Sequence, residues 1–141
     1  MERGILIVTG SCLQAELADR FLAYRLKEFI EKQFDNENIA CPPIVIVLSD
    51  LWYLNTESLH ELPMISVGSP HVNAVSAHLV NRLPRAVHIE KKLIIQMDLD
   101  LRDRRVTIWG CNGTMTGQAL QIFTKRGYLA RFLEPVLSRN I

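Results

Sequence analysis

Two uninterrupted runs of branched apolar residues, Ile5-Leu6-Ile7-Val8 and Ile44-Val45-Ile46-Val47-Leu48, govern what this chain can fold into. A strand with one face in water alternates apolar and polar residues, so continuous runs of this kind suit strands covered by helices on both faces. Between the two runs the period changes. Leu17, Phe21 and Tyr24 form one stripe and Ala18, Leu22, Leu26, Phe29 and Ile30 another, with Arg20, Lys27, Glu28 and Glu31 between them. That spacing predicts a long helix with a wide buried face, ending near Phe34-Asp35-Asn36.

The same alternation continues along the chain. Residues 36–43 read as a loop, because Asn and Asp favour turns and Pro42-Pro43 cannot continue a helix. Residues 51–61 predict a short, irregular helical stretch after the second strand, and residues 63–68 a third strand. Ser69-Pro70 then reads as a helix opening, Ser as cap and Pro at the first helical position, with Val72, Val75, Leu79 and Val80 inward and a stop at Pro84. Two more strands, residues 93–99 and 105–110, flank a charged segment of alternating sign and predict a hairpin with one reversed strand. A fourth helix from Asn112 or Thr114 to about Arg126 carries Ala119, Leu120, Ile122 and Phe123 inward, Gly127 stops it, and residues 128–137 form a last short helix. The expected architecture is a single three-layer α/β/α domain over residues 1–141: a mainly parallel sheet of about five strands with one antiparallel strand, wound in a Rossmann-like or flavodoxin-like manner.

Composition narrows the functional classes. Sixteen basic against fifteen acidic residues give a formal net charge of +1, unlike the basic balance that neutralising a run of phosphates requires, so nucleic acid is not an expected partner. The first apolar run is too short for a signal peptide or a membrane span and is cut by Thr9-Gly10-Ser11. Cys12, Cys41 and Cys111 are odd in number and form no C-x-x-C pair, which argues against a disulfide framework and, with no export signal, for a reducing cytoplasm where a buried thiol acts as a small hydrophobe. His60, His78 and His88 are scattered, with no H-x-x-x-H helix face, so no metal site is expected.

Polar residues gather where strands hand over to helices: Thr9-Gly10-Ser11-Cys12, Ser49-Asp50, Gly68-Ser69-Pro70-His71 and Gly110-Cys111-Asn112-Gly113-Thr114. In an open parallel sheet these corners share the edge beyond the carboxyl ends of the strands, where such folds bind ligands. Helix starts there offer free N–H groups and partial positive charge to an anion, and Gly10, Gly68 and Gly110 would let backbone approach it. The same Gly and Ser residues equally suit tight turns and caps with nothing bound. Neither G-x-x-x-x-G-K-[ST] nor G-x-G-x-x-G is present, which disfavours ATP or NAD held by those loops and leaves the cofactor, if any, undefined. Asp50, His71 and Cys111 are the candidate catalytic groups, the Asp as base or orienting partner of the His, and the Cys as a thiolate activated by it. Trp52, Tyr53 and Trp109 lie near the corners and suit either stacking on a planar ligand or core packing.

The segment Met64-Ile65-Ser66-Val67-Gly68-Ser69-Pro70-His71-Val72-Asn73 resembles the apolar strand and G-G-P-x-V-N turn of archaeal surface-layer proteins. Thr107-Ile108-Trp109-Gly110, with Thr116 and Ala119 downstream, is similar to the strand and T-x-x-A helix later in that pattern. Ser69 stands where the pattern has its second glycine. The resemblance implies a shared βα unit in which Asn73 braces the turn by bonding backbone, and a structural role for these corners.

The expected function is that of a module binding a small anionic or polar ligand through Gly10, Ser11, Gly68, Ser69, Asn73, Gly110, Asn112 and Thr114. One alternative is a hydrolase or transferase using Asp50 and His71, with or without Cys111. Another is a homo-oligomeric scaffold, suggested by Tyr128, Leu129, Phe132, Leu133, Val136 and Leu137.

Overall fold

The computed structural model describes residues 3–90 and 93–138, backbone only over 85–90. Its strands are β1 (Gly4–Thr9), β2 (Ile44–Ser49), β3 (Met64–Val67), β4 (Arg85–Glu90), β5 (Leu93–Met97) and β6 (Arg105–Gly110). Its helices are α1 (Arg20–Asn36), α2 (Asp50–Asn55), α3 (Ala74–Leu79), α4 (Gly113–Lys125) and α5 (Tyr128–Ser138). A π-helical turn, Ala15–Asp19, runs directly into α1, and a 3-10 turn, Glu57–Glu61, follows α2.

The strands form one sheet in the order β2-β1-β3-β6-β5-β4. β1, β2, β3 and β6 are mutually parallel, while β5 is antiparallel to both β6 and β4. The expected α/β sheet with one reversed strand is present, and of the two winding patterns the order β2-β1-β3 is the flavodoxin-like one. β4 is an addition that the sequence did not disclose. Register shifts on both sides of Val87-His88 break the two-residue alternation that would have marked it.

Side chains alternate to two apolar layers. Ile5, Ile7, Ile65, Ile95 and Ile108 pack with Leu26, Phe123 and Phe132 against α1, α4 and α5, while Leu6, Val8, Leu48 and Met64 pack with Tyr53, Val75 and Leu79 against α2 and α3. Complete burial of a side chain such as Phe123 contributes about 1.5–3 kcal/mol, so the layers are held chiefly by this contact. Among the described residues no helix is long and apolar enough to cross a membrane.

Three expectations change. The wide buried face of the first helix is narrower than its composition suggested: Leu17, Phe21, Tyr24 and Phe29 are exposed, and Ala15, Asp19, Ala23, Leu26, Ile30 and Phe34 face inward. Ala15, Asp19, Ala23, Leu26, Ile30 and Phe34 recur at three- and four-residue spacing and keep one face inward, while Leu17, Phe21 and Tyr24 fall on the opposite side of the helix. The third helix starts at Ala74 rather than after Ser69, because Asn73 takes the cap. The C-terminal apolar stretch is used internally, since Leu129, Phe132, Leu133 and Val136 are buried in the chain's own core, so the scaffold reading loses the feature that suggested it.

Asn73 fastens the crossing of these elements. Its amide donates to the carbonyls of Val8 at 3.2 Å and Val67 at 3.0 Å, at the ends of β1 and β3. Its Oδ1 accepts from the N–H groups of Val75 at 2.9 Å and Ser76 at 3.2 Å. Removing it exposes two buried carbonyls and uncaps α3, so Asn73→Ala should lower stability by about 3 kcal/mol or more in urea titration. Asn73→Asp, which keeps the cap and loses both donors, should rescue only a minor part of that loss.

Candidate functional site

The order β2-β1-β3 places a change of winding direction between β1 and β3, and the corners after these strands and after β6 stand together beyond their carboxyl ends. Most of the polar residues there hold the corners to each other. Ser11 Oγ donates to Asp50 Oδ1 at 2.5 Å, and the Asp50 carboxylate also accepts from the N–H groups of Leu51 and Ala74, each at 2.8 Å. Asp50 therefore ties the first corner to the starts of α2 and α3, and none of its hydrogen bonds runs to His71. Asn73, fully engaged as described, has no bond left for a ligand. Asn112 Oδ1 caps α4 by accepting from Met115 N at 2.9 Å, and Thr116 Oγ1 accepts from Gly110 N and donates to the Asn112 carbonyl, each at 3.0 Å.

The glycines follow the same logic. A Cβ on Gly10 would lie 1.7 Å from the Val72 carbonyl oxygen, and one on Gly110 would lie 2.3 Å from Met115 Cβ. Both are glycine because protein backbone, rather than a ligand, lies against them. Gly68 differs: its φ is +118°, and a Cβ there would meet Asp19 Oδ2 at 2.5 Å. Its missing side chain is the space in which the Asp19 carboxylate sits. Gly10→Ala should accordingly destabilise the fold by about 3 kcal/mol or more, because backbone must move, as read by thermal unfolding.

A cleft of about 180 Å³ opens between the three corners, and its wall includes Asp19, Ser69, His71, Cys111, Asn112 and Gly113. It thus gathers five residues singled out from the sequence: Ser69, His71, Gly110, Cys111 and Asn112. Gly10, Ser11, Asp50, Gly68 and Asn73 are not part of its lining; the hydrogen bonds and close contacts above place them in the joints that hold its corners together. Thr114 faces elsewhere, onto an open groove of about 300 Å³ between α1 and α4 that also carries Leu22, Arg25 and Gln118.

Asp19 was not among the residues expected here. It is 4% exposed, and neither of its oxygens accepts a hydrogen bond from the described residues. Burial alone raises its pKa from 3.8 to about 6. Ser69 is 7% exposed, and its hydroxyl makes no hydrogen bond although its carbonyl accepts from Val72 and Asn73. Opposite them α4 begins. The N–H groups of Gly113 and Thr114 precede the first intrahelical bond, Thr116 N to the Asn112 carbonyl, and have no protein partner. The cleft therefore combines a bare carboxyl, a bare hydroxyl and the free N–H of Gly113. One signal in the sequence pointed to Asp19: it falls in phase with Ala15, Ala23, Leu26, Ile30 and Phe34, a position where a carboxylate is costly.

The remaining candidates separate. All three cysteines are free and exposed, which corrects the expectation of buried thiols, and only Cys111 lines the cleft. Tyr53 is core, its ring 4.6 Å from that of His60, whereas Trp52 is exposed on α2. Among the described residues no three His, Cys, Asp or Glu side chains are placed to hold a metal ion. Comparison with family models, curated proteins and solved structures gives no match.

The Asp19 shift has a signed consequence. Between pH 3.8 and about 6 the folded chain holds a proton that the unfolded chain releases, so stability falls as pH rises through that window. Above it the ionised carboxylate opposes folding by about 2–3 kcal/mol. Asp19→Asn should therefore stabilise the protein by that order at pH 8 and match the parent below pH 4, as measured by urea midpoints across pH.

Proposed function

We propose that the protein is a binding module for a small polar ligand held at the strand-end cleft. One observation carries this reading: the cleft keeps a buried carboxyl without a partner beside the free Gly113 N–H of α4, while Asp50 and Asn73, which brace the neighbouring corners, have their bonds made. Burying a carboxyl without a bond opposes folding, and a ligand that supplies the bond recovers the cost. The volume, about 180 Å³, equals roughly six waters at about 30 Å³ each, so the ligand is small. The exposed free thiols support a reducing, cytoplasmic setting. The likeness to a surface-layer βα unit bears on the Asn73 turn alone.

Cys111 provides a reporter, with exposed Cys41 as an internal control. A bound ligand should slow maleimide labelling of Cys111 and leave Cys41 unchanged, and Asp19→Asn should abolish the protection. If no compound in a panel of amino acids, hydroxy acids, sugars and phosphates protects Cys111, the reading fails.

A second reading, an acid–base hydrolase or transferase, is favoured by one feature: Asp19, His71 and Cys111 share the cleft, and a carboxyl titrating near pH 6 suits proton transfer close to neutrality. In that case Asp19, not Asp50, is the acid–base group. Turnover of esters, amides or phosphoesters that Asp19→Asn abolishes and Asp50→Asn only weakens through stability would establish it.

A further inference from the structure

The polar groups of the cleft are arranged by sign, and this restricts the chemical class of the ligand; the inference rests on the binding reading above. On one wall stands Asp19, 4% exposed and without a hydrogen-bond donor, with the free Ser69 hydroxyl on the adjoining corner. The other wall contains the start of α4, a helix of 13 residues, with the open Gly113 N–H. A helix start of that length acts as roughly half a positive charge. Neither Lys nor Arg lines the cleft.

We infer that the cleft takes a small zwitterion of the amino-acid class, its ammonium on Asp19 and Ser69 and its carboxylate on the Gly113 N–H at the start of α4.

The alternatives fit less well on the same geometry. A phosphate carries nearly two negative charges, and half a helix charge beside an ionised Asp19 leaves it repelled. A hydroxy acid satisfies the α4 end and leaves Asp19 buried without a cation. A simple amine satisfies Asp19 and leaves the Gly113 N–H dry. A zwitterion neutralises both ends with no net charge. The volume of about 180 Å³ admits a single amino acid with a short side chain. Both contacts are charge-assisted hydrogen bonds, the stronger kind, and neither requires a protein group to change its existing partner.

Amide NMR of the ¹⁵N-labelled protein tests this at pH 7.5 with glycine, alanine, serine and β-alanine, set against ethanolamine, glycolate, lactate and inorganic phosphate. The expected result is a saturable shift at the Gly113 amide with amino acids, and at least tenfold weaker binding of compounds lacking either charge. Asp19→Asn should weaken amino-acid binding at least tenfold while keeping the parent's dispersed spectrum, and Ser69→Ala by a smaller factor. Parent affinity should fall severalfold between pH 7.5 and 5, as Asp19 takes up its proton. Preferential binding of glycolate, lactate or phosphate at this amide overturns the zwitterion and leaves the binding reading standing. No saturable shift with any compound overturns both. Amino-acid binding unaffected by Asp19→Asn also overturns the inference, since the ammonium would then sit elsewhere.

Discussion

The Asn73 side chain holds two strand ends and a helix start at one point, and the strand-end region depends on it. Its amide bonds the Val8 carbonyl near the end of β1 and the Val67 carbonyl at the end of β3, and its carbonyl caps α3. Beside it Asp50 binds Ser11 and the first N–H of α3, so the corners after β1, β2 and β3 are fixed relative to one another. Backbone can then approach backbone closely, which is why Gly10 has no room for a Cβ against Val72. A rigid rim of this kind can keep a small cleft open.

With the rim satisfied internally, the polar groups that remain unsatisfied stand out. Asp19 and Ser69 are nearly buried and unbonded, and the first N–H groups of α4 point away from the fold. The cause is local. Asp19, the last residue of the π turn, lies against Gly68, whose missing Cβ leaves space for its carboxylate. A π turn, an unpaired carboxyl and an open helix start at one place are typical of a site shaped for a ligand and not for stability alone.

Much of the architecture was legible because burial on both faces imposes continuous apolar runs, and these are hard to mistake. The strands expected at residues 4–8, 44–48 and 63–68, the reversed strand and the stop at Gly127 could all be read in this way, and the start of α4 to within two residues. The edge strand β4 was not, since its register shifts scramble the alternation. Within the site, Ser69, His71, Gly110, Cys111 and Asn112 were legible as corner residues, whereas Asn73 was expected to bind ligand, its bracing role being implied only by the resemblance of its turn. Asp50 was legible as important and misjudged in kind: spacing along the chain does not show that its carboxylate already accepts from Ser11, Leu51 and Ala74.

By itself the sequence determined the α/β layering and the edge of the sheet on which polar residues collect, because hydrophobic periodicity and capping chemistry act over a few residues at a time. Only the tertiary structure decided which polar groups are used by the fold and which remain free. Hydrogen-bond satisfaction depends on partners far apart in the chain, Asn73 with Val8 and Asp50 with Ala74, and on the lack of any such partner for Asp19 among the described residues. The feature on which the functional reading rests, a bare carboxyl opposite an open helix start, is for that reason a property of the folded chain alone.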